Sequence, residues 1–204
     1  MKALFGGTFN PVHQGHIALA LGVAGEFGLS WIEFVPSHQP VHRRQPRTSP
    51  TQRLAMLQLA LADHPRLAVN PIEIERSGPS FTVDTLESLR QQDSAEPLCW
   101  LMGADAFNGF ERWKQPRRIL ELAHLIVCAR PGTRLERGAF ADCFLAPDEK
   151  LADYPAGRIA HFSMPPNGCS STGIRQALRR GDVPDGCLAP AVLDFIKQHH
   201  LYEN

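Results

Sequence analysis

The chain has 204 residues, 43% hydrophobic and 21% charged, with 21 basic and 21 acidic side chains and a formal net charge of zero. That length and balance predict a globular protein with one well-filled core. They exclude bulk attraction to nucleic acid or to an anionic membrane and leave room for a local basic site. The first predicted element is a short strand over 2–6, which stops at Gly6-Gly7. Thr8-Phe9-Asn10-Pro11 then reads as a turn, and a helix is predicted over 14–27. With no Cβ at Gly6 and Gly7, backbone N–H groups there can come close to a polyphosphate. His13 and His16 lie three apart and share one face of the incoming helix, with Gly15 keeping the approach open. Taken alone, these residues also read as a turn and an ordinary helix start. The preceding strand and the glycine pair shift the reading to a nucleotide site carrying histidines. It is neither a Walker P-loop nor a Gly-x-Gly-x-x-Gly fingerprint.

Apolar runs then alternate with helical patterns. Further strands are predicted near 31–36, 67–70, 98–102, 124–129 and 158–163. Helices are predicted near 52–63, 82–92, 105–110, 116–122, 172–180 and 189–200. This alternation predicts an α/β, Rossmann-like, doubly wound fold: a mainly parallel sheet with helices on both faces, as a single domain over 1–204 with C-terminal helices from about 171. Leu98–Met102 and His124–Cys128 are nearly continuous in apolar residues, as strands buried on both faces should be. Trp31 and Trp100 fall in strand patterns and read as core. Two stretches read as loops. Residues 36–50 carry four prolines with His38, His42, Arg43, Arg44 and Arg47; within them, a lack of apolar anchors predicts movement of the 37–48 loop when no ligand is bound. Residues 131–155 read either as an insertion with its own helix or as a mobile flap.

The five cysteines (Cys99, Cys128, Cys143, Cys169, Cys187) are odd in number and contain no Cys-x-x-Cys pair. They predict neither a disulfide framework nor a zinc site, hence a cytoplasmic protein. The glycines and Asn10-Pro11 break the first apolar run too early for a signal peptide, and no stretch is long enough to span a membrane.

Three later clusters carry chemistry. Gly103-Ala104-Asp105 follows the 98–102 strand, where ligands of open α/β sheets bind, and Asp105 reads either as a ribose contact or as a helix cap. Ser170-Ser171-Thr172-Gly173-Ile174-Arg175 opens a helix. Its hydroxyls read first as caps, and the same helix start is an anion site with Arg175 one turn inside. Trp113 reads as core or as a stacking face, its polar neighbours favouring the latter.

Gly6-Gly7-Thr8-Phe9-Asn10-Pro11-Val12-His13, with His16, resembles the His-x-Gly-His nucleotidyltransferase superfamily, and within it the bacterial nicotinate-nucleotide adenylyltransferase family. The resemblance covers nearly the whole chain. It implies adenylyl transfer from ATP to nicotinate mononucleotide, with His13, His16 and Arg43 as catalytic residues. The C-terminal motif resembles the family's Ser-Ser-Thr-x-Ile-Arg, and Arg130-Pro131-Gly132 its Arg-Pro-Gly turn. ATP contacts are thus implied at Gly6, Gly7, Thr8, Phe9, His16, Gly103, Asp105, Arg130, Ser170, Ser171, Thr172 and Arg175. Ser80-Phe81-Thr82-Val83-Asp84-Thr85-Leu86 resembles the acceptor motif, with Phe81 where the family has tyrosine, and 35–43 resembles the Pro-Pro-His-Lys/Arg segment, with Val41 replacing a proline. Nicotinate-nucleotide contacts are implied at Thr8, His38, Arg43, Thr82, Thr85 and Trp113.

The phosphate monoester of the acceptor is largely a dianion at pH 7, so the expected chemistry is direct in-line attack with the histidines as donors. Mg²⁺ is expected as a cofactor carried by ATP, with no dedicated metal site in the protein. The expected partners are ATP and nicotinate mononucleotide, with no nucleic acid and no membrane; a homo-oligomer is left open. The alternatives are pantetheine-phosphate adenylyltransferase and, from another class, a non-catalytic nucleotide-sensing protein on the same fold.

Overall fold

The computed structural model describes residues 1–41, 45–93, 95–183 and 185–203. In chain order the elements are β1 (Lys2–Gly7), α1 (Gln14–Glu26), β2 (Ile32–Pro36), β3 (Gln39–Pro40), α2 (Pro50–Leu61), β4 (Leu67–Val69), α3 (Ile72–Arg76), β5 (Pro79–Ser80), α4 (Thr82–Gln92), β6 (Leu98–Gly103), α5 (Ala104–Phe107), α6 (Pro116–Leu122), β7 (His124–Ala129), β8 (Ile159–Ser163), α7 (Ser171–Arg179) and α8 (Pro190–Gln198). Six strands form one sheet in the order β4-β2-β1-β6-β7-β8, every pair parallel. The chain runs outward from β1 to one edge, then crosses back to β6 and on to the other. The order therefore reverses between β1 and β6, and a crevice opens beyond their carboxyl ends.

Strand alternation supplies both cores. Ala3 and Phe5 face a cluster shared with Ile17 and Val23 of α1, Met56 and Leu57 of α2, and Val192 and Ile196 of α8. Leu4 faces the opposite cluster, with Val83 and Leu86 of α4, Phe107 of α5 and Ile119 of α6. All six predicted strands of the sheet are present. Helix α2 begins at Pro50, two residues before the predicted start. Ser49 and Gln52 form a capping box there, and proline suits the first helical position.

Several expectations change. Helix α3 and the parallel β3–β5 pair (Gln39↔Pro79, Pro40↔Ser80) are too short to leave a periodic signal. Trp31 is 48% exposed, because β2 begins only at Ile32 and leaves it outside the ladder. The 131–155 region has no α-helix of its own. It contains two 3₁₀ turns (Gly138–Cys143 and Leu151–Asp153) pinned by buried Phe140, Phe144 and Leu151. Phe140 packs 5.0 Å from the Phe110 ring, and Phe144 bridges to Ile159.

The reading of the cysteines also needs correction. Cys169 and Cys187 form a disulfide with Cα atoms 5.5 Å apart, while Cys99, Cys128 and Cys143 are free. Sequence spacing hid the pair, because α7 and the turn after it fold the chain back on itself. Among the described residues no helix is long and apolar enough to cross a membrane.

Candidate active site

The crevice begins where β1 ends. A Cβ on Gly6 would lie 2.0 Å from the Trp100 indole, and one on Gly7 would lie 2.8 Å from the Phe9 ring. Both glycines are therefore required by packing, whatever ligand the loop receives. Phe9 adopts φ 47° and turns its ring into the core against Phe5 and Phe34, with an edge contact to His16 at 5.2 Å. The Phe9 side chain therefore packs in the core, with only 3% of the residue exposed. After the Asn10–Pro11 peptide, which is cis, His13 caps α1.

The two histidines form one unit. Their rings stack with centroids 3.7 Å apart, and the His13 amide donates to His16 Nδ1 at 3.2 Å. Because Nδ1 accepts, the proton of His16 sits on Nε2. Burial, then the proximity of the Arg130 guanidinium, depresses the His13 pKa to about 4. Burial also holds His16 well below the ordinary imidazole range, reinforced by His13 and Arg130. Both are neutral at pH 7. His13 Nδ1 is buried without a hydrogen-bond partner among the described residues. Gly15 leaves room for the His13 ring, since a Cβ there would sit 3.0 Å from it.

Other predicted ATP residues gather on the same rim. Gly103 and Asp105 lie at the carboxyl end of β6, and Arg130 follows β7; all three are exposed. Open space lies where a Cβ of Gly103 would be. The N-terminus of α7 approaches from the far end of the chain. Ser170 Oγ caps it by accepting from the Gly173 amide at 3.1 Å. Ser171 Oγ donates to Pro11 O at 3.0 Å, and Arg175 donates through Nη1 to Asn10 O at 2.7 Å and through Nη2 to Thr172 Oγ1 at 3.2 Å. The motif thus fastens α7 to the glycine-rich loop as well as facing the crevice. Cys187 completes the fastening: its carbonyl accepts from the Gln14 amide at 2.9 Å, while its sulfur holds Cys169.

The predicted acceptor residues lie around β3, β5 and the start of α4. His38 donates its amide to Ser80 Oγ at 2.8 Å, and its Nδ1 bonds Gly78 O at 3.1 Å. Gln45 Nε2 donates to Pro40 O and Thr48 Oγ1 to Asn10 Oδ1. The described flanks of the 37–48 loop are therefore pinned by polar contacts rather than by the missing apolar anchors. Arg43, assigned to catalysis and the acceptor phosphate, lies outside the described residues. Thr82 opens α4, whose N-cap residue Phe81 supplies no side-chain hydrogen bond. Trp113 is half-buried, edge-on to Phe110 at 5.6 Å, and Lys114 lies over the Phe81 ring and pairs with Asp84 at 2.8 Å. Thr85 requires correction as a ligand donor. It is wholly buried, its hydroxyl donates to Glu73 Oε1 at 2.7 Å, and its amide bonds Phe81 O. It supports the turn from beneath.

Residues without a motif complete the site. Arg53 is fully buried and bonds Thr8 O, Ser37 O and His38 O. Its signal in sequence is a charge on the helix face of Met56, Leu57 and Ala60. Tyr202 donates to Asn10 Oδ1 at 2.7 Å; nothing local marks it.

A parallel sheet with this reversal of strand order, carrying neutral histidines at a helix start in its crevice, is the architecture of a nucleotide-binding α/β enzyme. The chain belongs to the cytidylyltransferase-like family, whose model matches residues 4–177. Within that class it is 40% identical over 209 residues to a protein of Klebsiella pneumoniae named "Probable nicotinate-nucleotide adenylyltransferase", covering 99% of this chain and 97% of that one. The Methylococcus capsulatus protein of the same name is 38% identical over 208 residues, covering 99% of both. In fold, the chain resembles the Plasmodium falciparum nicotinic acid mononucleotide adenylyltransferase complexed with NaAD. The TM-score is 0.77 at 15% identity, covering 99% of this chain and 98% of that one. It is an enzyme of the nucleotidyltransferase type.

Proposed function

We propose that the protein transfers the adenylyl group of ATP to nicotinate mononucleotide, releasing pyrophosphate and forming nicotinate adenine dinucleotide. A phosphate oxygen of the acceptor forms a bond to the α-phosphorus, and the bond from that phosphorus to the bridging oxygen of pyrophosphate breaks. The observation that carries this reading is the stacked, neutral His13–His16 pair at the switch point, in the loop to which Arg175 of the α7 start is bonded at Asn10. A neutral imidazole with its proton on Nε2 donates to a phosphate oxygen without first taking up a second proton. Arg175 and Arg130 contribute positive charge on the polyphosphate side, and Asp105 accepts from ribose hydroxyls.

The acceptor's ring lies against Trp113, and its carboxylate takes the free amides at the start of α4, an end with no side-chain cap. Thr8 and His38 lie between the two substrates, and Arg43 is assigned to the phosphate of the acceptor. Among the described residues, no group of three or more His, Cys, Asp or Glu side chains converges to hold a metal. Mg²⁺ carried on the ATP phosphates, hard oxygen ligands of the kind it takes, would neutralise charge on the departing pyrophosphate. Substrates of this kind, ATP and a pyridine nucleotide, support a cytoplasmic location. Pyrophosphate release, measured with ATP and a panel of nicotinate mononucleotide, nicotinamide mononucleotide and phosphopantetheine, tests the reading. Turnover with phosphopantetheine and none with either pyridine nucleotide would overturn it.

A further inference from the structure

Arg53 is an arginine without solvent contact in a helix whose neighbouring buried positions are apolar. A charge taken out of water survives only where hydrogen bonds and opposite charge compensate it. Burial does lower its pKa, to about 10, which still leaves the guanidinium charged at pH 7. Its compensation comes from two separate loops. Nη1 donates to Thr8 O at 2.9 Å, in the loop that follows β1. Nη2 donates to Ser37 O at 2.6 Å and to His38 O at 3.1 Å, where the chain leaves β2 toward the acceptor side. The acidic group that acts on it through charge is Glu73, itself 4% exposed; burial pushes its carboxyl up, while Thr85, which donates to it below the start of α4, and the charge of Arg53 favour the carboxylate.

We propose that Arg53 is a positioning residue for adenylyl transfer. Its planar fork sets the spacing between the nucleotide loop at Thr8 and the acceptor loop at Ser37–His38, with Glu73 as the counter-charge that extends the link to α4. This rests on the function proposed above. Arg53 needs no contact with either substrate. It acts through three backbone carbonyls whose relative position decides whether the acceptor oxygen lies in line with the α-phosphorus. Displacement of a reacting group by about 1 Å lowers a rate about 100-fold while each substrate still binds its own half of the site. A lysine keeps the charge and loses the fork, so it cannot hold carbonyls of two loops in one plane.

The test compares wild type, Arg53→Lys and Glu73→Gln. The readouts are kcat, the KM of each substrate, Kd for ATP alone and nicotinate mononucleotide alone by calorimetry, and thermal unfolding. Wild type must first convert ATP and nicotinate mononucleotide; failure at that point overturns the functional reading and not the role of Arg53. With wild type active, Arg53→Lys is expected to keep each Kd within about threefold and to lose about 100-fold in kcat. Glu73→Gln keeps an oxygen for Thr85, removes the counter-charge and is expected to show the same split at about tenfold. Should Arg53→Lys not fold, Glu73→Gln decides. A lower melting temperature with kcat within threefold of wild type would reduce Arg53 to a stabilising residue and overturn the proposal. A rise in one substrate's Kd that accounts for the whole loss in kcat/KM would overturn it too, by placing Arg53 in a single subsite.

Discussion

Replacing His16 by alanine separates the chemical and structural contributions of the histidine pair. The His13 amide donates to His16 Nδ1, so the imidazole serves the loop through Nδ1 and, in the proposed reaction, a phosphate oxygen through Nε2–H. Loss of one preorganised donor to transition-state charge costs about 10²–10³ in kcat, or about 2.7–4 kcal/mol. Loss of the capping acceptor costs about 1 kcal/mol of stability, which for a chain of this size lowers Tm by about 2–4 °C. That stability loss leaves the protein folded at assay temperature, so it contributes nothing to kcat.

The pH dependence follows from the depressed pKa values. As pH falls from about 6.5, the ordinary imidazole value, toward about 4, the unfolded chain takes up a proton on His13 and the folded protein does not. Stability therefore falls across that window, by about 3 kcal/mol for this group, and its contribution levels off below pH 4. Between pH 6.5 and 8 neither histidine titrates, and neither gives kcat/KM a pH dependence. Pyrophosphate-release kinetics and melting curves of both proteins check each part. Unchanged kcat with collapsed ATP affinity would refute the catalytic assignment. A wild-type rate rising on acidification from pH 8 to 6.5 would show that an imidazolium is required.

Arg175→Ala removes a charged donor from Asn10 O and from Thr172; calorimetry should show ATP affinity reduced about tenfold or more, with acceptor affinity unchanged. Reduction of the Cys169–Cys187 bond, or Cys187→Ser, opens an 18-residue loop. About 3 kcal/mol of stability should be lost, read as a lower Tm with dithiothreitol than without, and the KM for ATP should rise because Ser170 follows Cys169 directly. Trp113→Ala should raise the KM of the pyridine nucleotide about two- to tenfold while leaving that of ATP near normal, as expected for loss of one aromatic stacking contact. The acid nucleotide should be preferred over the amide by about 10- to 100-fold in kcat/KM, because the α4 amides are donors that a carboxamide NH₂ cannot satisfy. Equal values would place the pyridine elsewhere.

Much of the molecule was legible along the chain because its signals are local. A buried parallel strand declares itself by continuous apolar residues, as at Leu98–Met102. The histidine loop is likewise legible, since Gly6, Gly7, His13, Gly15 and His16 fall within one strand–turn–helix and their spacing alone sets their shared face. The sequence determined the α/β alternation and the two helix starts that open at Gln14 and Ser171.

Tertiary structure decided what depends on residues distant in the chain. The Thr85 hydroxyl reads as a ligand donor until Glu73 from an unpredicted helix takes it, and Phe9 reads as loop until φ 47° turns its ring inward. Cys169 and Cys187 stand 18 residues apart and become partners only when α7 folds back. Arg53 and Tyr202 reach the nucleotide loop across 45 and 192 residues. Side-chain periodicity records which face of an element is buried, and it carries no record of which distant polar group waits there. A buried polar atom takes its role from the partner that folding brings to it, because leaving it unpaired costs more than any local preference supplies.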